Sequence, residues 1–227
     1  MRKLSLLLLA CSVSLFSFSQ SYNLDSSLTA IRLQTDSTLR ATIHADSMKI
    51  EKENQQMIKW EKLKSMAKYP AINAGPFSGV IPVQDPTEIP DPKLDYKLLF
   101  EVSGAFPDSS ADGINENLVE IARIINLHVA SGIPLKKIFP VIVVHGPVLK
   151  AISTNAEYQK HYKIDNPNLK VINDLVALGA RFIACGQAMA FFDVKKEDLL
   201  PLVKISLTAQ TVLSSYQLKG YVKTNIK

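Results

Sequence analysis

One cysteine carries most of the reactive chemistry that the sequence offers. Cys185 stands in the motif Cys185-Gly186-Gln187, directly after a short apolar run. Gly186 would let the backbone approach closely, and the turn that follows could aim N–H groups at the sulfur and favour thiolate over thiol. Free cysteine is also commonly a small, buried, apolar side chain. Cys185 is therefore either reactive or structural.

Two further motifs follow predicted strands. Ser103-Gly104 comes after the first strand and His145-Gly146 after the second. Ligands of open parallel sheets bind at the carboxyl ends of the strands, so these loops and the cysteine loop are expected to meet there. His145 is either a base for the Cys185 thiol or a polar residue that caps its strand. The residues expected to bind substrate are Ser103, Gly104, Gly146, Gly186 and Gln187.

Other reaction classes lack the residues that they need. The sequence has no Ser-His-Asp order, no phosphate loop, no Gly-x-Gly-x-x-Gly and no Cys-x-x-Cys, and its four histidines show no metal-ligand spacing. We therefore expect no cofactor and no metal. The formal charge of +5 is not concentrated in a basic cluster, so we expect no nucleic-acid partner.

The first residues predict export. A basic start, Met1-Arg2-Lys3, precedes an uncharged apolar run from Leu4 to Phe18. This run is shorter than the ~20 residues that span a membrane, so we expect a signal peptide over residues 1–19 and a protein of the bacterial periplasm or cell envelope, with no stable membrane span after cleavage. The alternatives are an uncleaved anchor and a lipoprotein signal at Cys11. Cleavage would remove Cys11 and leave Cys185 without a disulfide partner.

Three segments are expected after the signal peptide. Residues 20–68 are polar, with apolar residues at loose helical spacing, and predict a helical arm. The arm is either a partner-binding or oligomerising element or a half-ordered spacer. Residues 69–94 are rich in proline, which predicts a linker or a wrapped extended segment. Residues 95–227 form the remaining domain.

The domain alternates between strands and helices. Apolar runs predict strands over residues 96–102, 138–144, 181–184 and 202–206, with a short last strand over 220–222. Helical spacing predicts helices over 114–130 and 208–218, and a further one after Asn166-Pro167-Asn168. This alternation is typical of an α/β protein whose mostly parallel sheet is covered on both faces.

Six segments within residues 95–222 form a characteristic set. They are Tyr96–Phe100, Ala122-Arg123 with Asn126-Leu127-His128, Val144-His145-Gly146, Asn166-Pro167-Asn168, Cys185-Gly186-Gln187 and Gln217–Tyr221. Together they resemble the motifs of DsrE/DsrF-like proteins, in particular the exported bacterial branch. The cysteine loop and the Leu218–Tyr221 ending are the most specific. The resemblance implies a YchN-like three-layer α/β/α sandwich with a mostly parallel five-stranded sheet, preceded here by the N-terminal helical arm, and a homo-oligomer, either a trimer or a hexamer.

The resemblance also implies a chemistry. In the sulfur-relay members, a cysteine of this loop carries a persulfide between a donor and an acceptor protein, and Cys185 matches that cysteine. Those members are cytoplasmic and have dedicated partner subunits, whereas this chain carries an export signal and an arm. The expected function is that of an exported persulfide carrier with at most a sulfur-transfer activity. The alternative is a non-catalytic oligomeric binding module of the cell envelope.

Overall fold

The computed structural model describes the backbone of residues 2–224 and 226, and the side chains of residues 25–224 and 226. The side chains of the predicted signal peptide, including Cys11, lie outside the described residues. The chain forms two compact units, residues 1–61 and 62–227. Among the residues described, no helix carries an apolar stretch long enough to cross a membrane.

The first unit is helical. Helix α1 spans Arg2–Met66, and threonine and serine hydroxyls donate to carbonyls of the preceding turn, as from Thr35 to Ile31 at 2.8 Å. Every side chain from residue 25 to residue 61 is exposed. The apolar members Leu28 and Ile43 have 52% and 56% of their surface exposed. This helix thus presents apolar side chains that its own chain does not bury.

The second unit is built on a five-stranded sheet in which all paired strands are parallel, in the order β4-β3-β2-β1-β5. Strands β1 and β2 pair along their whole length, from Tyr96 opposite Ile138 to Val102 opposite Val144. The strands are β1 (Tyr96–Val102), β2 (Ile138–Val144), β3 (Arg181–Cys185), β4 (Lys204–Ser206) and β5 (Val222–Thr224).

Helices cover both faces of the sheet. Alternate residues of β1 enter different apolar clusters: Leu98 and Phe100 pack with one set of helices, and Leu99 packs with another. The first cluster includes residues of α2, α3, α4 and the 3-10 helix Pro147–Ile152; the second includes residues of α6. The expected three-layer α/β/α sandwich is confirmed. The helices are α2 (Glu116–Ala130), α3 (Asn155–Tyr162), α4 (Leu169–Ala177), α5 (Gly186–Phe191) and α6 (Ala209–Leu218).

The last strand lies later in the chain than the sequence predicts. Gly220, which was expected to begin it, has a φ of +82°, a conformation that glycine adopts without strain. The N–H of Tyr221 donates to the Tyr216 carbonyl at 3.0 Å, so residues 220 and 221 end α6 in the manner of a C-terminal glycine cap. Strand β5 therefore begins at Val222, opposite Leu98 of β1.

The first part of the proline-rich segment packs onto the domain. Ile72, Ala74 and Val80 are buried, and Ile72 and Ala74 belong to the same apolar cluster as α2. The backbone of Ile72 also bonds to the buried side chain of Asn126. Residues 71–80 thus wrap onto the domain, with a short 3-10 helix at Pro76–Ser78, and are not a free linker.

Candidate functional site

Cys185 lies at the end of β3, on the face of the sheet that α6 covers. It packs with Val143 of β2, Ile183 of its own strand and Ala209 of α6, and only 5% of its surface is exposed. It is a free cysteine. Cys185 thus lies at the carboxyl edge of the sheet, as expected, and its surroundings are apolar.

The sulfur of Cys185 accepts a hydrogen bond at the start of α6. The N–H of Ala209, the first residue of this helix, donates to Sγ at 3.2 Å. The helix is capped by Thr208, whose hydroxyl oxygen accepts from the Gln210 N–H. The first N–H groups of a helix have no partner within the helix, and its N-terminal end carries partial positive charge. The sulfur of Cys185 therefore lies at the N-terminal end of α6, against one of its free N–H groups.

The expected source of this N–H group was wrong. The sequence placed it in the turn that follows Cys185, but the Gln187 N–H donates to the Leu207 carbonyl at 3.1 Å. Ala209 is 24 residues away along the chain and reaches the sulfur because β4 pairs with β3, with Ser206 opposite Cys185. Nothing in the spacing of the sequence indicates this contact.

Gly186 is required by packing. A Cβ atom at this position would lie 2.6 Å from the Ser206 carbonyl oxygen and 3.4 Å from that of Leu207. Residue 186 therefore passes against the backbone that leads from β4 to α6. A close backbone approach was expected at Gly186. The backbone that approaches it is that of Ser206 and Leu207.

His145 bonds to a carboxylate on the neighbouring strand. Its Nε2 lies 2.9 Å from Oε1 of Glu101, and Lys223 Nζ contacts the other oxygen of the same carboxylate. Both contacts lower the pKa of Glu101, first the hydrogen bond from Lys223 and then that from His145, against the opposing effect of burial. Glu101 stands out in the sequence as an acid within an apolar strand, whereas nothing there singles out Lys223.

The three strand-end loops meet only in part. The Val144–Ala184 pairing brings the ends of β2 and β3 side by side, one residue before His145 and Cys185. Among the described hydrogen bonds, however, none joins these two side chains, so His145 is oriented by Glu101 and not by the thiol.

The loops after β1 and β2 lie next to each other. A Cβ atom at Gly146 would lie 3.9 Å from the Gly104 carbonyl oxygen. Ser103, Gly104 and Gln187 are exposed. Gly104 and Gly146 have φ values of +121° and +79°, so both turns need a residue without a side chain.

The chain matches the model of one family and is similar to several solved structures. The model of the DsrE/DsrF-like family matches residues 97–223, which is more than half of the 227 residues. A protein of unknown function from Methanobacterium thermoautotrophicum, MTH1491, is 18% identical, with a TM-score of 0.42, over 57% of this chain and 98% of that chain. The ychN protein from E. coli is 16% identical, with a TM-score of 0.40, over 56% of this chain and 95% of that chain. No curated protein matches the sequence.

Proposed function

The chain belongs to the DsrE/DsrF-like family, and we propose that it is an exported member in which Cys185 carries sulfane sulfur as a persulfide. The observation that carries this proposal is the hydrogen bond from the Ala209 N–H to Cys185 Sγ at 3.2 Å. A sulfur that becomes a thiolate or a persulfide is stabilised by it.

The proposed reaction is a thiol–persulfide exchange. The Cys185 thiolate attacks the outer sulfur of a donor persulfide. The S–S bond of the donor breaks, a new S–S bond forms at Cys185, and the electron pair leaves with the inner donor sulfur as a thiolate. The outer sulfur keeps its proton, so the step involves no net oxidation and no cofactor. The reverse exchange with an acceptor thiol would complete the transfer.

The burial of Cys185 defines how the sulfur is loaded. With 5% of its surface exposed, the thiol is shielded from bulk thiols that would reduce a persulfide. Loading therefore requires a local opening of the chain that lies over it, residues 206–209. Leu207 of this segment has 76% of its surface exposed, which makes it a contact surface for a donor protein.

Mass spectrometry after exposure to polysulfide tests the carrier proposal. A Cys11→Ser background leaves Cys185 as the only thiol, and Cys185→Ser in the same background is the control. We expect one added sulfur atom in the first protein, released by a reducing agent, and none in the control. A Cys185 thiol that gains no sulfur under conditions that load a free cysteine peptide would refute the proposal.

Export is part of the same proposal, with residues 1–19 as the signal peptide and the bacterial periplasm or cell envelope as the destination. It is supported by the basic start and the short uncharged apolar run. The intact mass of the protein recovered from the bacterial envelope tests it. We expect a chain that begins beside Gln20; an intact N-terminus in a cytoplasmic fraction would contradict it.

A second candidate function is a non-catalytic, oligomeric binding module of the cell envelope, in which the chain forms a trimer or hexamer. The exposed apolar side chains of α1, such as Leu28, Ile31 and Leu39, favour it, since each has more than half of its surface exposed. Deletion of residues 20–61 tests this role and leaves the second unit, residues 62–227, complete. We expect a smaller oligomer by light scattering. An unchanged oligomer mass would remove the basis for an oligomerising arm.

A further inference from the structure

Four titratable side chains lie in a row across the sheet, on the face that α6 covers. Cys185 belongs to the apolar cluster of this face, as does Leu99 of β1. Glu101 follows Leu99 by two residues, so its side chain lies on the same face. His145 after β2 and Lys223 of β5 contact the Glu101 carboxylate from the strands on either side of β1. The row thus runs from β3 across β2 and β1 to β5.

His145 and Cys185 are neighbours in this row. The N–H of His145 donates to the Val102 carbonyl at 3.0 Å, so the pairing of β2 with β1 continues for one residue beyond the strand. Val144 lies opposite Ala184, and the next residues along these two parallel strands are His145 and Cys185. Since neighbouring strands are about 4.8 Å apart, the imidazole lies one strand away from the thiol.

The two ring nitrogens of His145 have different surroundings. Nε2 lies 2.9 Å from Oε1 of Glu101, whereas Nδ1 has no hydrogen-bond partner among the residues that the structure describes. The contacts of Glu101 with Lys223 and His145 lower its pKa, so at neutral pH the carboxylate is ionised and accepts the Nε2 proton. In the neutral ring, the lone pair is then on Nδ1, because the bond made by one nitrogen fixes the state of the other.

We propose that Glu101 is a positioning residue, which holds His145 in the tautomer whose Nδ1 takes the proton from the Cys185 thiol. This inference rests on the persulfide-carrier function proposed above. The S–H bond breaks, an N–H bond forms at Nδ1, and the imidazolium is paired with the Glu101 carboxylate. After the thiolate has attacked the donor persulfide, the imidazolium gives this proton to the departing donor thiolate. The step involves no net oxidation.

The local opening over Cys185 allows this proton transfer. With residues 206–209 in place, the sulfur accepts from the Ala209 N–H. The opening that loading requires breaks this bond and leaves the thiol free to turn towards the neighbouring strand. Helix α6 has no charged side chain of its own and contributes the phenol of Tyr216 to this face, next to that of Tyr221. Lys219, after the helix, lies over the Tyr216 ring.

Glu101→Gln tests the assignment because Lys223 determines how the new amide lies. Lys223 contacts the second carboxylate oxygen, so the amide oxygen is expected to face Lys223 and the NH2 group to donate to His145 Nε2. Nδ1 then carries the proton and no longer accepts one. The pH dependence of Cys185 alkylation by iodoacetamide, followed by mass spectrometry in the Cys11→Ser background, is the measurement. We expect its midpoint to rise by about one pH unit, the effect of losing a charge-assisted hydrogen bond.

A double-mutant cycle shows whether Glu101 acts through His145. We expect His145→Asn to raise the midpoint at least as much, and Glu101→Gln to add nothing in that background. A loss of stability does not imitate this result, because more frequent opening of residues 206–209 raises the rate at every pH and leaves the midpoint in place. An unchanged midpoint in Glu101→Gln, or a full shift in the absence of His145, would overturn the proposal.

The chain supplies a matched control on α3, which covers the other face of the sheet. Glu157 accepts from Lys160 Nζ at 2.7 Å and lies 2.8 Å from His161 Nε2, so the same three residue types are joined in the same order. Glu157→Gln is expected to leave the midpoint of Cys185 alkylation where it is. An equal shift in this variant would show an effect of net charge and would count against Glu101.

Sulfur loading by polysulfide, measured on the same proteins, separates this inference from the carrier function. If Cys185 gains no sulfur but Glu101→Gln shifts the midpoint, the carrier function is refuted and the positioning role of Glu101 is supported. If Cys185 gains sulfur and the midpoint does not move, the carrier function stands and the role of Glu101 is refuted. Where both hold, Glu101→Gln is expected to load sulfur about tenfold more slowly at neutral pH, in keeping with a shift of one pH unit.

Discussion

The side chain of Asn126 holds the backbone of Ile72 through two hydrogen bonds, its Oδ1 accepting from the N–H at 3.0 Å and its Nδ2 donating to the carbonyl at 2.7 Å. Asn126 lies within α2 and is completely buried. The same amide also accepts from the Ala71 N–H and donates to the Ser78 carbonyl. Residues 71–80 precede the family match, which begins at residue 97, yet Ile72 and Ala74 are part of the core.

Asn126→Ala is expected to destabilise the second unit by about 3–5 kcal/mol, because it leaves several buried backbone groups without partners. Denaturant unfolding measures the change. The matched control is Asn73→Ala in the same segment, where the asparagine is exposed and accepts one bond from the Gly75 N–H. A cost of less than about 1 kcal/mol is expected there. Equal costs for the two variants would show that Asn126 does not anchor the segment.

The central strands were predictable from the sequence, and their bounds are as expected. Ile138–Val144 is an apolar run rich in β-branched residues, which is the pattern of a strand buried on both faces. Tyr96–Val102 is mostly apolar, with Lys97 and Glu101 as its charged residues. Short edge strands carry a weaker signal. Strand β4 has three residues, Lys204–Ser206, and not the five predicted, because pairing with β3 and not local composition sets its length.

The sequence predicts which loops lie at the site, but it does not predict which side chains and backbone groups contact one another there. Topology brings the residues after β1, β2 and β3 to one edge of the sheet. The partners of the side chains, however, come from distant parts of the chain. Ala209 reaches Cys185, and Lys223 reaches Glu101, through the positions of α6 and β5. Local spacing contains no information on such contacts.

Gly186→Ala is expected to destabilise the protein by about 1–3 kcal/mol, as overpacking does. The new methyl group would lie 2.6 Å from the Ser206 carbonyl oxygen, and a backbone atom has little freedom to move away. Alanine favours a helix over glycine by about 1 kcal/mol, but the clash opposes this gain. Thermal unfolding measures the result.

Gly113→Ala is the control for Gly186→Ala. A Cβ atom there would meet only the Ser110 carbonyl oxygen, at 3.9 Å, so a change within about 0.5 kcal/mol is expected. A Gly186→Ala protein as stable as this control would show that the backbone of residues 206–207 yields easily.

Glu101→Gln is expected to destabilise the protein in a pH-dependent way. Lys223 and His145 hold the pKa of Glu101 below its ordinary value of 4.5, so the carboxylate is bound more strongly in the folded state than in the unfolded state. Its contribution to stability is therefore fully present above pH 4.5 and is lost as the pH falls through the lowered pKa. The gap in unfolding free energy between the unaltered protein and the variant should narrow in acid.

Denaturant unfolding at a series of pH values measures this gap. The exposed Glu88 provides the control, since Glu88→Gln should differ from the unaltered protein by an amount that does not depend on pH. A gap for Glu101→Gln that stays constant from neutral pH into acid would contradict the expected effect of Lys223 and His145 on this carboxylate.

Thr208→Ala is expected to speed the alkylation of Cys185. Thr208 caps α6, its hydroxyl oxygen accepting from the Gln210 N–H at 3.3 Å, and the loss of such a cap costs about 1 kcal/mol. Because only 5% of the surface of Cys185 is exposed, its thiol should react with iodoacetamide only when residues 206–209 open, so we expect the reaction to be about fivefold faster. Thr154→Ala removes the matching cap of α3, where the Thr154 hydroxyl oxygen accepts from the Glu157 N–H at 3.3 Å, and should leave the rate unchanged. Equal rates for the two variants would contradict the proposed opening over Cys185.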